Sequence, residues 1–232
     1  MTTEDIFQRA FLLVGNEAMR RMADARVLLF GVGGVGSWCA EALIRSGVGH
    51  LTMVDPDIVD VSNINRQLPA TIETVGQPKV AVMRERLLLI NPAAGIIARQ
   101  ARFSADNADD FRVEEYDYVI DAIDSLPDKL ELILLANTTS LEHEVKFFSS
   151  MGAARKTDPT QLQVSEFWKV DGCPLAASLR KRMRRQQRFP QCRFQCVWSP
   201  ERVEGARPKG TLMPVTAAFG LTLASLVIRD LL

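Results

Sequence analysis

The stretch Gly31-Val32-Gly33-Gly34-Val35-Gly36 constrains this chain more than any other feature. The pattern predicts a strand over 27–31 before it and a helix over 35–46 after it, which makes it a G-x-G-x-x-G nucleotide-binding turn. Gly31 permits the tight turn. Gly33 lets a phosphate or ribose approach the backbone, and Gly36 lets the helix pack close with its first N–H groups toward the nucleotide. Asp55 ends the next predicted strand, 50–55, at the spacing of a ribose-binding acid. These features imply an adenine nucleotide but do not separate NAD, FAD and ATP.

The rest of the chain continues the same alternation. "QPKVAVMRERLLLINP" carries apolar residues at helical spacing (Val80, Met83, Leu87, Ile90) and stops at Asn91-Pro92. Strands are expected in "IIARQARF", "YDYVIDAID" and "EVKFFSS", with a helix in "LPDKLELILLANTTS". This order predicts an α/β, Rossmann-like, doubly wound and mostly parallel sheet with helices on both faces. Residues 1–25 form an N-terminal helical segment and 26–150 the nucleotide-binding core. Residues 151–232 form an antiparallel extension. It comprises one strand in "DPTQLQVSEFWKV", a basic helix in "PLAASLRKRMRRQQR", a short strand in "CRFQCVWS", a polar loop over 201–210 and an apolar terminal helix. "LMPVTAAFGLTLASLVI" has no charge, but it is short for a membrane span and holds Pro214 and Gly220, so a buried helix is expected.

The residues after Asp55 decide between nucleotides. Hydride transfer needs an apolar nicotinamide pocket with little positive charge near the reacting centre. Here Asn63, Arg66 and Gln67 follow the acid, and Lys79 follows them in "GQPK". Amides and cations at that place suit a triphosphate. Asp121 and Asp124 close a later strand at its carboxyl end, where ligands of open α/β sheets gather. A carboxylate beside phosphates implies Mg²⁺, which takes one or two carboxylates plus phosphate oxygens and water. Lysine, arginine and magnesium together are parts for attack at phosphorus. A scaffold module that only bound nucleotide would have little need for the magnesium acid.

"GVGGVGSWCAEALIRSGVGHLTMVDPDIVDVSNINRQL", "VGQPK" and "VIDAID" resemble the ThiF/MoeB superfamily of ATP-dependent adenylating enzymes, related to ubiquitin-activating enzymes. The resemblance implies one adenylating domain over 1–232. It places Arg66, Lys79 and Asp124 around the ATP phosphates, with Asp124 as the magnesium ligand, and Asp55 on the ribose. Gly31, Gly33, Gly34, Gly36, Asp57, Asn63, Gln67, Asp121 and Ser125 complete the nucleotide site. It also implies a homodimer in which Arg9 reaches into the partner's site, and it leaves room for a monovalent cation. The departure is Ser125, where many members have asparagine.

The family activates carboxylates of two kinds. One is the C-terminus of a ubiquitin-like or sulfur-carrier protein. Members acting on it usually carry two C-x-x-C pairs for zinc, whereas the four cysteines here (Cys39, Cys173, Cys192, Cys196) form none. The other is the carboxylate of threonylcarbamoyladenosine beside a tRNA anticodon, dehydrated to a cyclic form. "DPTQLQVS", "PLAASLRKRMR", "CVWSPE" and "VTAAFG" resemble the branch with that activity, which closes the ring internally without an enzyme thiol. Cys173 is then structural.

Charge distribution agrees with a tRNA substrate. Residues 180–210 carry ten bases against two acids, and 104–144 twelve acids against two bases. Arg180, Lys181, Arg184, Arg185 and Arg188 are the expected phosphate contacts. A solvated helix face would carry the same residues. A cysteine desulfurase or sulfur acceptor is a further partner the resemblance implies. With no charged segment and apolar stretch opening the sequence, no secretory signal is expected, and the unpaired cysteines fit a reducing cytoplasm.

Overall fold

A computed structural model describes residues 3–202 and 210–232. Most of the polar loop expected over 201–210 therefore lies outside the described residues. Seven strands form one sheet: β1 (Arg26–Phe30), β2 (His50–Val54), β3 (Gly95–Arg99), β4 (Tyr118–Asp121), β5 (Lys146–Ser150), β6 (Gln163–Glu166) and β7 (Gln195–Trp198). Their spatial order is β3-β2-β1-β4-β5-β7-β6. Every neighbouring pair is parallel except β6 with β7. The chain leaves β1 toward β2 and β3 on one side and later fills β4 and β5 on the other. The order thus reverses between β1 and β4, and a crevice opens there at the carboxyl ends of the strands.

Alternation along the strands sends side chains to two cores. Val27, Leu29, Leu51, Met53 and Ile120 pack under α1 (Thr3–Asp24), α2 (Gly36–Arg45), α3 (Lys79–Ile90) and α6 (Met213–Leu231). Leu28, Phe30, Val54 and Val119 pack under α4 (Leu126–Glu142) and α5 (Pro174–Gln186). α1 is two helices joined at Gly15, whose φ of 79° breaks the helical path. α6 is long and apolar enough to cross a membrane, yet half of its apolar window is buried inside the fold. It crosses α2 closely, since a Cβ on Gly220 would lie 2.2 Å from the Val35 carbonyl oxygen.

The antiparallel pairing expected in the C-terminal extension is present between β6 and β7, and two details differ. β7 joins the main sheet parallel to β5, with α5 in the connection between them, so only the edge strand β6 is antiparallel. The long strand expected over 158–170 shrinks to 163–166, with short 3₁₀ turns at 159–161 and 167–169. Pro159 has no N–H for a ladder, and the Asp158 carboxylate accepts the Thr160 amide at 2.8 Å, which winds the first turn.

Candidate active site

β1 hands over to the glycine loop at Gly31, where φ is 89° and the amide donates to the Val54 carbonyl at 2.8 Å. A Cβ on Gly31 would lie 2.6 Å from the Ala122 carbonyl oxygen, and one on Gly36 would lie 1.8 Å from that of Gly31. Both glycines are required by the protein's own packing. Gly33 is not. The nearest atom to a Cβ there is Gln67 Nε2, at 3.8 Å. A methyl group would fit, so that glycine keeps its open side clear, as a bound nucleotide requires. At Gly34 a Cβ would crowd Arg66 Cγ and Thr216 at 3.3 Å, which brings α6 and the polar loop to the same turn.

Asp55 is buried behind the loop. Its Oδ2 accepts the Val32 amide at 2.6 Å and its Oδ1 the Asp57 amide at 2.9 Å. Burial pushes its carboxyl above the ordinary aspartate value, and the two amides and nearby Lys79 offset only part of that rise. Lys79 opens α3 with a side chain 6% exposed, and its Nζ meets Asp57 Oδ2 at 2.7 Å. Asn63 is buried and shapes the loop: its Oδ1 accepts the Asp60 amide at 3.2 Å in a reciprocal cap. Arg66 is half-buried, with Nη1 donating to the Ser62 carbonyl at 2.8 Å and to Asn65 Oδ1 at 2.9 Å. The Trp38 indole N–H donates to the Arg66 carbonyl at 3.1 Å and fastens the loop to α2.

The other wall is the turn after β4, and its two acids differ completely. Asp121 is fully buried. Its Oδ2 meets Lys129 Nζ at 2.8 Å and accepts from the Ser149 hydroxyl at 2.7 Å, while its Oδ1 accepts the Ile123 amide at 3.0 Å. Those contacts turn it into the sheet and leave it no face for a nucleotide. Asp124, three residues on, is exposed and carries no hydrogen bond or ion pair among the described residues. Ser125 caps α4, and its carbonyl accepts the Lys129 amide at 2.9 Å. Lys129 is the residue that sequence reasoning passed over. Its Nζ also donates to the Ile123 carbonyl at 3.0 Å, so Lys129 and Asp121 both grip the residue that precedes Asp124. A lysine within the apolar run of "DKLELILL" was the available signal.

The donor set fits a nucleotide and one magnesium ion. Among the described residues the buried Gln67 side-chain oxygen beside Gly33 has no partner, which leaves an unmet polar demand at the glycine turn. Asp124 is a single free carboxylate, and no cluster of three or more metal-binding side chains forms among the described residues. One carboxylate suits an ion shared with phosphate oxygens and water. Arg9 is exposed on α1 and meets none of these groups.

The basic helix divides. Arg180 Nη1 donates to the carbonyls of Phe167 at 3.3 Å and Val170 at 2.8 Å, and Arg188 forms a forked pair with Glu131 at 2.6 and 2.8 Å. Both were expected on phosphates; here both meet partners within the fold. Lys181, Arg184 and Arg185 are exposed and have no ion pair among the described residues. All four cysteines are unbridged, and Cys173 is buried.

A sequence model of the ThiF family matches residues 7–232. The chain belongs to the ThiF family. Among ThiF-family relatives, it is 36% identical over 256 residues to the tRNA threonylcarbamoyladenosine dehydratase of Haemophilus influenzae, covering 100% of this chain and 97% of that one. The enzyme of the same name from Bacillus subtilis is 42% identical over 180 residues, covering 78% of this chain and 69% of that one. The crystal structure of the Escherichia coli dehydratase in complex with ATP superposes with a TM-score of 0.89 at 35% identity, covering 98% of this chain and 94% of the other.

Proposed function

We propose that this ThiF-family chain is an ATP-dependent tRNA threonylcarbamoyladenosine dehydratase. The observation that carries this reading is an exposed carboxylate, Asp124, without a partner among the described residues and two residues past Ala122, which abuts Gly31, while Arg66 abuts Gly34 of the same turn, in a chain similar end to end to enzymes of that name. The substrate carboxylate attacks the α-phosphorus of ATP and pyrophosphate leaves. The carbamoyl group of the same nucleoside then closes on the acyl carbon and AMP leaves, so the net change is loss of one water. Two anions must meet in the first step. Arg66 and Lys79 lower that repulsion and favour the pyrophosphate leaving group. Bound at Asp124, magnesium would supply further neutralising charge. Gly33 and Gln67 meet the nucleotide, while Asp55 and Asn63 hold the loop in shape.

The working enzyme is a homodimer in which Arg9 adds a cation to the partner's site. Leu12 and Leu13, 75% and 84% exposed on the same helix, offer the apolar surface such a dimer would cover. A cysteine desulfurase or sulfur acceptor is a further partner, and the cytoplasm is the compartment.

The test is pyrophosphate release with ATP and tRNA bearing threonylcarbamoyladenosine, with mass spectrometry of the nucleosides. Turnover and loss of one water are expected only with that tRNA. Turnover with a small carrier protein instead would replace this reading by carrier adenylation.

A further inference from the structure

Beyond the site, one surface combines exposed aromatics with unspent positive charge. The 3₁₀ turn Phe167–Lys169 follows the edge strand β6. Phe167 is fully buried and stacks on Phe194, with ring centroids 5.1 Å apart. Trp168 meets Phe167 edge-on at 5.2 Å and lies 6.4 Å from Phe189 in a tilted pair. Trp168 and Phe189 are each 41% exposed. The inner ring and the Arg180 hydrogen bonds to this turn hold Trp168 in place, so its outward face is offered without ordering cost.

Cations border this pair. α5 buries Ala176, Leu179 and Met183, which turns Lys181, Arg184 and Arg185 outward. Arg184 stands one turn beyond Arg180 on the flank that meets the Trp168 turn. Lys169 is exposed beside Trp168, and neither it nor Arg184 has an ion pair among the described residues. Aromatic rings bordered by unpaired cations match a single-stranded nucleic acid: every base has a π-face to stack, and every backbone step brings a phosphate. A duplex would offer the phosphates but not the faces.

We propose that Trp168 and Phe189 form a stacking platform for an unpaired base of the RNA substrate, with Lys169, Lys181 and Arg184 on the flanking phosphates. This rests on the reading of the chain as a tRNA-modifying enzyme. The platform lies three strand positions from β4, about 14 Å to the side at ordinary strand spacing, and, because β6 runs antiparallel to β7, toward the amino ends of the parallel strands rather than the carboxyl ends where the crevice opens. The base it holds therefore belongs to a part of the RNA away from the reacting nucleoside.

The experiment compares wild type, W168A, W168F and an R184A/R185A pair, with tRNA bearing threonylcarbamoyladenosine. W168A is expected to bind tRNA roughly 5- to 100-fold more weakly, the range for losing one stacked base. It should raise KM for tRNA and leave kcat at saturating tRNA unchanged. W168F should recover most of the affinity. The slope of log affinity against log salt should match wild type in W168A, because no ionic contact is lost, and become shallower in R184A/R185A. A stem-loop with an open loop should compete better than a fully paired RNA of equal length against wild type, and W168A should lose that preference. If W168A binds tRNA as wild type does, or W168F is as weak as W168A, the platform is overturned. Wild type that fails to turn over this tRNA would instead refute the proposed function.

Discussion

Lys129→Met tests whether the buried ion pair under the β4 turn holds this half of the fold. Lys129 and Asp121 are both wholly buried, 2.8 Å apart. The substitution keeps the length and apolar volume of the stem but leaves the Asp121 carboxylate with only the Ser149 hydroxyl and the Ile123 amide. Removing one partner of a buried pair costs about 3–5 kcal/mol, because the other charge stays behind unpaired. That is a large share of the ~5–15 kcal/mol that stabilises a typical domain, and in urea it corresponds to a midpoint lowered by roughly 1–2 M. Reversible urea unfolding followed by circular dichroism measures it. The companion K129M/D121N removes the charge while an amide oxygen still serves the Ile123 amide, and it should recover roughly half of the loss or more. In folded K129M the Ile123 carbonyl also loses its donor, so KM for ATP should rise together with the fall in stability. A single variant that loses less than about 1 kcal/mol, or a double variant no more stable than the single, would refute the argument that an unpaired buried charge is the cost.

Four further outcomes follow from the site and its surroundings. G33A should fold with an unchanged Tm yet lose ATP binding in calorimetry, whereas G36A, whose Cβ would lie 1.8 Å from a carbonyl oxygen, should fail to accumulate as folded protein. Asp124→Asn should leave Tm within a degree or so and cut pyrophosphate release by about 10²-fold or more, since among the described residues no fold contact depends on that carboxylate. Burial raises the Glu41 carboxyl, but hydrogen bonds from Arg86 and Arg45 outweigh it and hold the group below its ordinary value near 4.5. Its stability contribution is thus present above that pH and lost on acidification below it, and E41Q should flatten the acid limb of a Tm-against-pH curve. Cys173→Ala should retain cyclisation, because Cys173 is only 2% exposed and the proposed ring closure uses no enzyme nucleophile.

Much of the nucleotide crevice was legible because its signals are local. The glycine turn needs its residues at fixed offsets, and a strand-to-helix handover fixes where Gly31 and Gly36 must lie. The doubly wound, mostly parallel sheet was legible for the same reason, since strands and helices alternate along the chain. Placement of β7 was not. A short apolar strand after a helix pairs with either hand of neighbour, and only the crossover through α5 brings it parallel to β5.

The acids after β4 mark where local reasoning stops. "VIDAID" offers two aspartates three residues apart, and both look alike as ligands in sequence. Their difference comes from partners far along the chain: Lys129 eight residues on, and Ser149 on the next strand. Those partners exist only once α4 has packed against the sheet. The same physics divides the basic helix, where Arg180 and Arg188 look like phosphate contacts until Val170 and Glu131 arrive beside them. In each of these two cases the fold supplies the partners that the sequence leaves to be found. Asp124 and Arg184 are left without partners among the described residues, which makes them charges available to substrate without breaking a contact of the fold.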